Sequence, residues 1–128
     1  MFDKMRILTG SDGSLKSRRA LDEAISIAKK FSGSIKVVTV YEKGAEKKAE
    51  ATVADAKQLL ENEGVKYEVL MVLSSNAAKT LQTIAKQENF DLIVVGSRGL
   101  GSRVSILLGS VSKNVVAGAY CNVLVVKK

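Results

Sequence analysis

Glycine and arginine residues are concentrated in one stretch, residues 96–110, which follows a short apolar run. Gly96, Gly99 and Gly101 permit positive φ angles and the close approach of a ligand to main-chain N–H groups. Gly109-Ser110 opens a second helical segment, whose first N–H groups and positive dipole end would bind an anion. Glycines that only turn the chain are the alternative. The stretch therefore predicts either a phosphate site or a structural loop.

A second group of turn residues, residues 10–14, follows the first apolar segment of the chain. Ser14 is a suitable N-cap for a helix that begins at the next residue. Asp12 places a carboxylate in this turn, where it fits either a ligand contact or an Asx turn that leads into the helix. The residue types leave both roles open.

Strands and helices alternate along the chain. Short β-branched runs predict strands at residues 5–9, 35–41, 65–73, 92–95 and 122–126, and apolar residues at helical spacing predict helices at residues 15–31, 45–63 and 76–88 and a fourth after residue 109. Parallel strands need right-handed helical crossovers. We therefore expect one domain, residues 1–128, with a three-layer, doubly wound α/β fold and a five-stranded parallel sheet in the order 3-2-1-4-5.

Two of these helices carry apolar stripes that predict which side chains are buried. The stripe of the second helix is Ala49, Val53, Ala56 and Leu60, and that of the fourth is Leu108, Val111, Val115 and Ala119. The alternating pattern of residues 65–73 predicts an edge strand with one solvated face.

The order of the strands places the two glycine-containing turns at one point. In a doubly wound sheet, ligands bind beyond the carboxyl ends of the strands, where the strand order reverses. With the order 3-2-1-4-5, the reversal lies between the first and fourth strands, which lead into residues 10–14 and 96–110. This coincidence favours a nucleotide or a similar phosphate ligand.

The spacing Gly96-x2-Gly99-x9-Gly109-Ser110 separates this loop from two common phosphate-binding motifs. It lacks the Gly-Lys-Ser/Thr of a P-loop, and Val104 stands where the Rossmann fingerprint has its third glycine. The spacing resembles the ATP-binding signature of the universal stress protein family. The resemblance covers the whole chain and includes Asp12-Gly13-Ser14 and a closing Val-Leu-Val-Val strand.

This resemblance implies a set of nucleotide contacts. The cofactor would be ATP, or else AMP or ADP, with Mg²⁺ held through the phosphates. Asp12 would contact the nucleoside, and Val40 would line the adenine pocket. The ribose and the inner phosphates would meet Gly96, Ser97, Arg98 and Gly99, and the outer phosphates would meet Gly109, Ser110, Val111 and Ser112. The resemblance also implies a homodimer through the last strand, formed by Val123, Leu124, Val125 and Val126.

The residue types that are missing narrow the possible functions. Histidine is absent, which excludes Ser-His-Asp and Cys-His catalysis, and Cys121 is the single cysteine, so no cysteine/histidine zinc site is possible. No catalytic residue is predicted. We expect a nucleotide-dependent stress-response or signalling module whose loop is ordered by ATP. The alternatives are an enzyme with weak ATP hydrolysis or phosphotransfer, and a scaffold protein with a basic surface.

Charge and hydropathy bear on the partners and the compartment. The net charge of +7 is scattered along the chain, and there are three Phe, three Tyr and no Trp, which argues against specific nucleic-acid binding. No apolar run is long enough for a membrane span, and the first ten residues lack a signal-peptide pattern, so we expect a cytoplasmic protein. The sequence identifies no protein partner.

Overall fold

A parallel sheet organises the protein, which a computed structural model describes over residues 4–97 and 110–127. Within these ranges the elements are β1 (Arg6–Gly10), α1 (Leu15–Phe31), β2 (Ser34–Tyr41), α2 (Glu46–Glu63), β3 (Lys66–Leu73), α3 (Ala77–Gln87), β4 (Leu92–Gly96), α4 (Ser110–Gly118) and β5 (Asn122–Val126). The strand order is β3-β2-β1-β4-β5. The predicted fold class and strand order are confirmed.

Two apolar cores lie on opposite faces of this sheet, because successive strand residues point to opposite sides. The first core packs α1 and α2 against strand residues such as Ile7, Val37 and Val94. The second core packs α3 and α4 against neighbours such as Leu8 and Val38. Each crossover thus buries an apolar helix stripe, and the carboxyl edge of the sheet is left between the two layers.

Helix α1 follows directly from its sequence. The Ser14 side chain accepts a hydrogen bond from the backbone N–H of Ser17 at 3.2 Å and caps the helix. The helix ends at Ser32, which adopts the left-handed conformation. One stripe is buried between these ends: Ser17, Ala20, Leu21, Ala24, Ile25 and Ala28. The cap and the stripe together fix how α1 lies on the sheet.

The predicted stripe of α2 is wrong at one position. Val53 is only half-buried, and its neighbour Thr52 is buried instead. A threonine hydroxyl can be buried when it has a hydrogen-bond partner. Here Thr52 Oγ1 donates to the Lys48 carbonyl at 3.0 Å, within the same helix.

The predicted stripe of α4 is also wrong at one position. Val111 is 40% exposed, whereas Ser112 is 4% exposed and Val115 is fully buried. The Ser112 hydroxyl donates to the Gly96 carbonyl, which satisfies the buried polar group. Leu108 lies outside the described residues.

The sheet ends in two different edge strands. In β3, Tyr67 and Val69 pack against the first core, whereas Lys66 and Glu68 are exposed, as the alternation predicts. At the other edge, β5 pairs with β4 in parallel. In the ranges that the structure describes, no helix combines the length and the apolar character needed to cross a membrane.

Candidate functional site

The carboxyl ends of β1 and β4 form the switch point of the sheet. The two strands pair in parallel, with Thr9 opposite Val94, while β1 pairs with β2 on its other side. Residues 11–14, here called the Asp12 turn, follow β1, and Gly96 is the last residue of β4. The structure therefore brings the predicted nucleoside contact and the start of the predicted phosphate loop to one edge, as the sequence predicts.

Hydrogen bonds hold the Asp12 turn in one conformation. The Ser11 N–H donates to the Val38 carbonyl at 2.9 Å, which continues the pairing of β1 with β2. Asp12 Oδ1 accepts the Ser14 N–H at 2.9 Å. This contact is the Asx turn that the sequence allowed, and it leads into the N-cap of α1. The contact of Asp12 with a nucleoside stays a prediction.

The Asp12 carboxylate is ionised at neutral pH. Partial burial works to raise its pKa, but hydrogen bonds to the carboxylate, above all from Ser14, outweigh that effect and hold the pKa below the ordinary value of 3.8. An ionised carboxylate only accepts hydrogen bonds. Asp12 is exposed at the edge of the sheet, so it can accept from a hydroxyl or amino group of a ligand.

Two hydroxyl residues that support this turn were not predicted. Ser17 Oγ accepts from the Asp12 N–H at 3.3 Å and donates to the Ser14 carbonyl at 3.0 Å. Gly13 has a φ of 84°, and a methyl group there would lie 2.9 Å from Thr52 Oγ1 in α2. The position of Ser17, three residues after a capping serine, was a signal in the sequence. Nothing in the sequence links Thr52 to Gly13.

A different kind of contact fixes the end of β4. A methyl group on Gly96 would lie 2.6 Å from the carbonyl oxygen of Lys16, so the first turn of α1 takes the space beside Gly96. Ser97 is 4% exposed; its N–H donates to the Val126 carbonyl at 2.9 Å and its hydroxyl donates to the Lys127 carbonyl at 3.3 Å. Helix packing therefore accounts for a glycine at position 96 without a ligand.

The first turn of α4 lies against the same strand end. The buried Ser112 hydroxyl donates to the Gly96 carbonyl, and further along Gln82 Nε2 donates to the Asn114 carbonyl at 2.6 Å. The backbone N–H groups in the first turn of an α-helix have no intrahelical acceptor. These groups of α4, which begins at Ser110, are thus placed beside β4, as an anion site requires.

The adenine side of the predicted site lies at the end of β2. Gly10 pairs with Val38, so Asp12 and Val40 each stand two residues beyond that pair. Val40 is half-buried and packs against the second core. A methyl group on Gly10 would lie 3.2 Å from Leu81 Cδ1, so α3 packs closely here. This corner is apolar, as an adenine pocket would need.

Six of the ten predicted contact residues have described side chains or glycine backbones at this edge: Asp12, Val40, Gly96, Ser97, Val111 and Ser112. For Ser110 the structure describes the helical backbone only. The predicted contacts at Arg98, Gly99 and Gly109 lie outside the described residues. The structure directly joins Gly96 to Ser112, and it joins the Asp12 turn to Gly96 through the first turn of α1.

The fold and this edge define a class: doubly wound α/β proteins with a ligand crevice at the switch point. The universal stress protein family model matches residues 4–127, and the chain belongs to that family. A universal stress protein of Thermus aquaticus is 35% identical over an alignment of 136 positions, gaps included, that covers 94% of this chain and 97% of that protein. A universal stress protein of Methanocaldococcus jannaschii is 31% identical over an alignment of 140 positions, gaps included, that covers 96% of this chain and 82% of that protein.

A solved structure is similar over the same length. The crystal structure of a universal stress protein in complex with cAMP has a TM-score of 0.81 to this chain, with 30% sequence identity and 98% of each chain covered. The similarity therefore includes every strand and helix described above.

Proposed function

We propose that this protein binds an adenine nucleotide, ATP in the first instance, at the switch point between β1 and β4. One observation supports the proposal most directly. The ionised carboxylate of Asp12 and the first turn of α4, beside Gly96, lie at the same edge of the sheet. A carboxylate accepts from ribose or adenine, while helix N–H groups donate to phosphate oxygens. The similar protein in complex with cAMP supports an adenine nucleotide as the ligand.

The two ends of the site would bind different parts of the nucleotide. The apolar corner at Val40 and the carboxylate of Asp12 would take the nucleoside, and the α4 end, with Ser110, Val111 and Ser112, would take the outer phosphates. Ser112 already donates its hydroxyl proton to Gly96, so its backbone N–H is the group that would face a phosphate. Mg²⁺ would be held through the phosphate oxygens.

Calorimetric titration of nucleotide-stripped protein tests this function. ATP with Mg²⁺, AMP, cAMP and adenosine are titrated separately, and saturable binding near one site per chain is the expected result. Asp12→Asn keeps an oxygen that can accept the Ser14 N–H but removes the charge. We expect it to weaken the binding of all four ligands. Asp22→Asn, an exposed carboxylate paired with Arg18 on α1, is the matched control and leaves them unchanged.

The absence of binding heat would contradict the proposal if the thermal stability were also unchanged. A ligand at about 100 times its Kd should add about 2.7 kcal/mol to the free energy of unfolding. That outcome would favour the scaffold alternative, which predicts binding to DNA or RNA with a steep dependence on salt. Phosphate release that survives repurification and is lost in Asp12→Ala would instead establish ATP hydrolysis.

The proposed function includes a homodimer through β5. This strand pairs with β4 on one side, and its four apolar residues, Val123, Leu124, Val125 and Val126, are only half-buried. An apolar strand at a sheet edge is a surface that a second copy can cover. Light scattering at micromolar concentration should give twice the chain mass of 13.7 kDa, and a monomer mass would contradict the dimer.

A further inference from the structure

Ser17 has a position that helix capping does not explain. Its side chain is buried, with 8% exposed, in the first turn of α1. The cap itself is the Ser14 side chain, which accepts the Ser17 N–H. The Ser17 hydroxyl makes a second pair of contacts: it donates to the Ser14 carbonyl at 3.0 Å and accepts the Asp12 N–H at 3.3 Å.

These contacts fix both the main chain and the side chain of Asp12. The bond from the Asp12 N–H to Ser17 holds the peptide that precedes the carboxylate. The bond from the Ser14 N–H to Asp12 Oδ1 holds the carboxylate itself at 2.9 Å. Gly13, between them, is packed against Thr52 of α2. The orientation of the carboxylate therefore depends on a hydroxyl that lies behind the turn.

A cleft lies behind the Asp12 turn, so truncation of Ser17 can test whether the Asp12 carboxylate depends on the Ser17 hydroxyl. A cleft of about 240 Å³ separates the start of α1 from α2, and Ser14, Ser17 and Thr52 are among its lining residues. Because Ser17 borders this cleft, removing its hydroxyl lets water reach the Asp12 N–H. The truncation would then release the Asp12 peptide without opening the apolar core.

We propose that Ser17 is a positioning residue for the nucleotide site, whose hydroxyl holds the Asp12 carboxylate in the orientation that receives the nucleoside. The proposal rests on the proposed nucleotide function. Ser17 itself does not contact the ligand, and it acts through the conformation of the Asp12 turn.

The test compares Ser17→Ala with two further variants. Ser17→Thr keeps the hydroxyl and adds one methyl group at a residue that borders the cleft. Thr80→Val is the matched control, because Thr80 Oγ1 donates to the carbonyl of the N-cap residue Asn76 at 2.9 Å, at the start of α3 rather than α1. NMR titration of the nucleotide-free protein gives the pKa of Asp12, and calorimetry gives the Kd values of AMP and adenosine.

Ser17→Ala should raise the pKa of Asp12. It should also weaken the binding of AMP and adenosine by the same factor, about fivefold to tenfold, the size expected if the hydrogen bond from the nucleoside to a misplaced Asp12 is lost. Ser17→Thr should restore both properties, and Thr80→Val should change neither. An unchanged Asp12 pKa in Ser17→Ala, or an equal loss of affinity in Thr80→Val, would overturn the positioning role.

The two proposals fail in different ways. If the wild-type protein binds neither AMP nor adenosine, the proposed function is wrong and Ser17 has no nucleotide site to position. If the wild type binds both and Ser17→Ala binds them equally well, only the positioning role is wrong. The pKa of Asp12 is measured without nucleotide, so it reports on the turn in either case.

Discussion

The Asp12 turn and the end of β4 lie at the same edge of the sheet but are held by contacts of different range. In the turn, the hydrogen bonds of Asp12 reach Ser14 and Ser17, two and five residues along the chain. At the end of β4, the Ser112 hydroxyl contacts a carbonyl 16 residues away, and the Ser97 hydroxyl contacts one 30 residues away. Gly96 is further packed against Lys16 of α1.

The two halves of the proposed site therefore depend to different degrees on the complete fold. Short-range bonds close small loops, and their cost in chain entropy is small. The hydrogen bonds of Asp12 can therefore form once α1 is capped, whereas the Ser11–Val38 bond and the apolar corner at Val40 also need β2 in place. The phosphate half needs α1, α4 and β5 to be packed on β4 before its groups are in place. Variants at the β4 end should therefore affect the stability of the fold more than variants in the turn.

Gly96→Ala should show the largest effect. Its methyl group would lie 2.6 Å from the Lys16 carbonyl oxygen, a backbone atom that cannot move without shifting α1. We expect a loss of about 1–3 kcal/mol in the free energy of unfolding, measured by denaturant titration. Gly10→Ala is the matched control, since its methyl group meets the side chain of Leu81 at 3.2 Å, which can adjust. Equal losses of free energy of unfolding in Gly96→Ala and Gly10→Ala would show that the close packing of α1 against Gly96 is not the cause.

Ser112→Ala should show an intermediate effect. It removes a buried hydrogen bond to β4, so the nucleotide-free protein should lose about 1 kcal/mol of stability. Thr9→Val is the control, because it also removes a buried hydrogen bond to β4. Thr9 Oγ1 of β1 donates to the Val94 carbonyl of β4 at 2.7 Å, away from the loop. Unchanged stability in Ser112→Ala, with ATP weakened more than adenosine, would instead show that the hydroxyl serves the phosphates.

The pH dependence of Asp12 should give the smallest effect. Its pKa in the folded protein lies below 3.8, so the ionised form is favoured by folding. The resulting stability is present above pH 3.8 and is lost as the pH falls through the folded pKa. The stability difference between wild type and Asp12→Asn should therefore shrink on acidification, as chemical denaturation over a pH series would show. A difference independent of pH would mean that the turn does not favour the charge.

Much of the site could be read from local sequence. The capping serine at position 14 and the Asx turn at Asp12 depend on residues within one or two helical turns, and the sequence indicated the first and allowed the second. Apart from α4, whose end was not predicted, the ends of the described elements lie within one residue of their predicted positions. The errors at Val53 and Val111 arose because a buried threonine or serine is stable only with a partner, and hydrophobic periodicity does not contain that information.

The alternation of strands and helices, the parallel sheet and the edge at which the two glycine-containing turns meet all followed from the amino-acid sequence. The reason for a glycine at position 96 came only from the packed structure: the carbonyl of Lys16, eighty positions earlier, takes the space that a side chain there would need. The packed structure also decided that Thr52 supports Gly13 and that Ser112 is turned toward β4. Local patterns are set by steric and hydrogen-bonding preferences along the chain, whereas these contacts exist only after helices from distant segments have packed on the sheet.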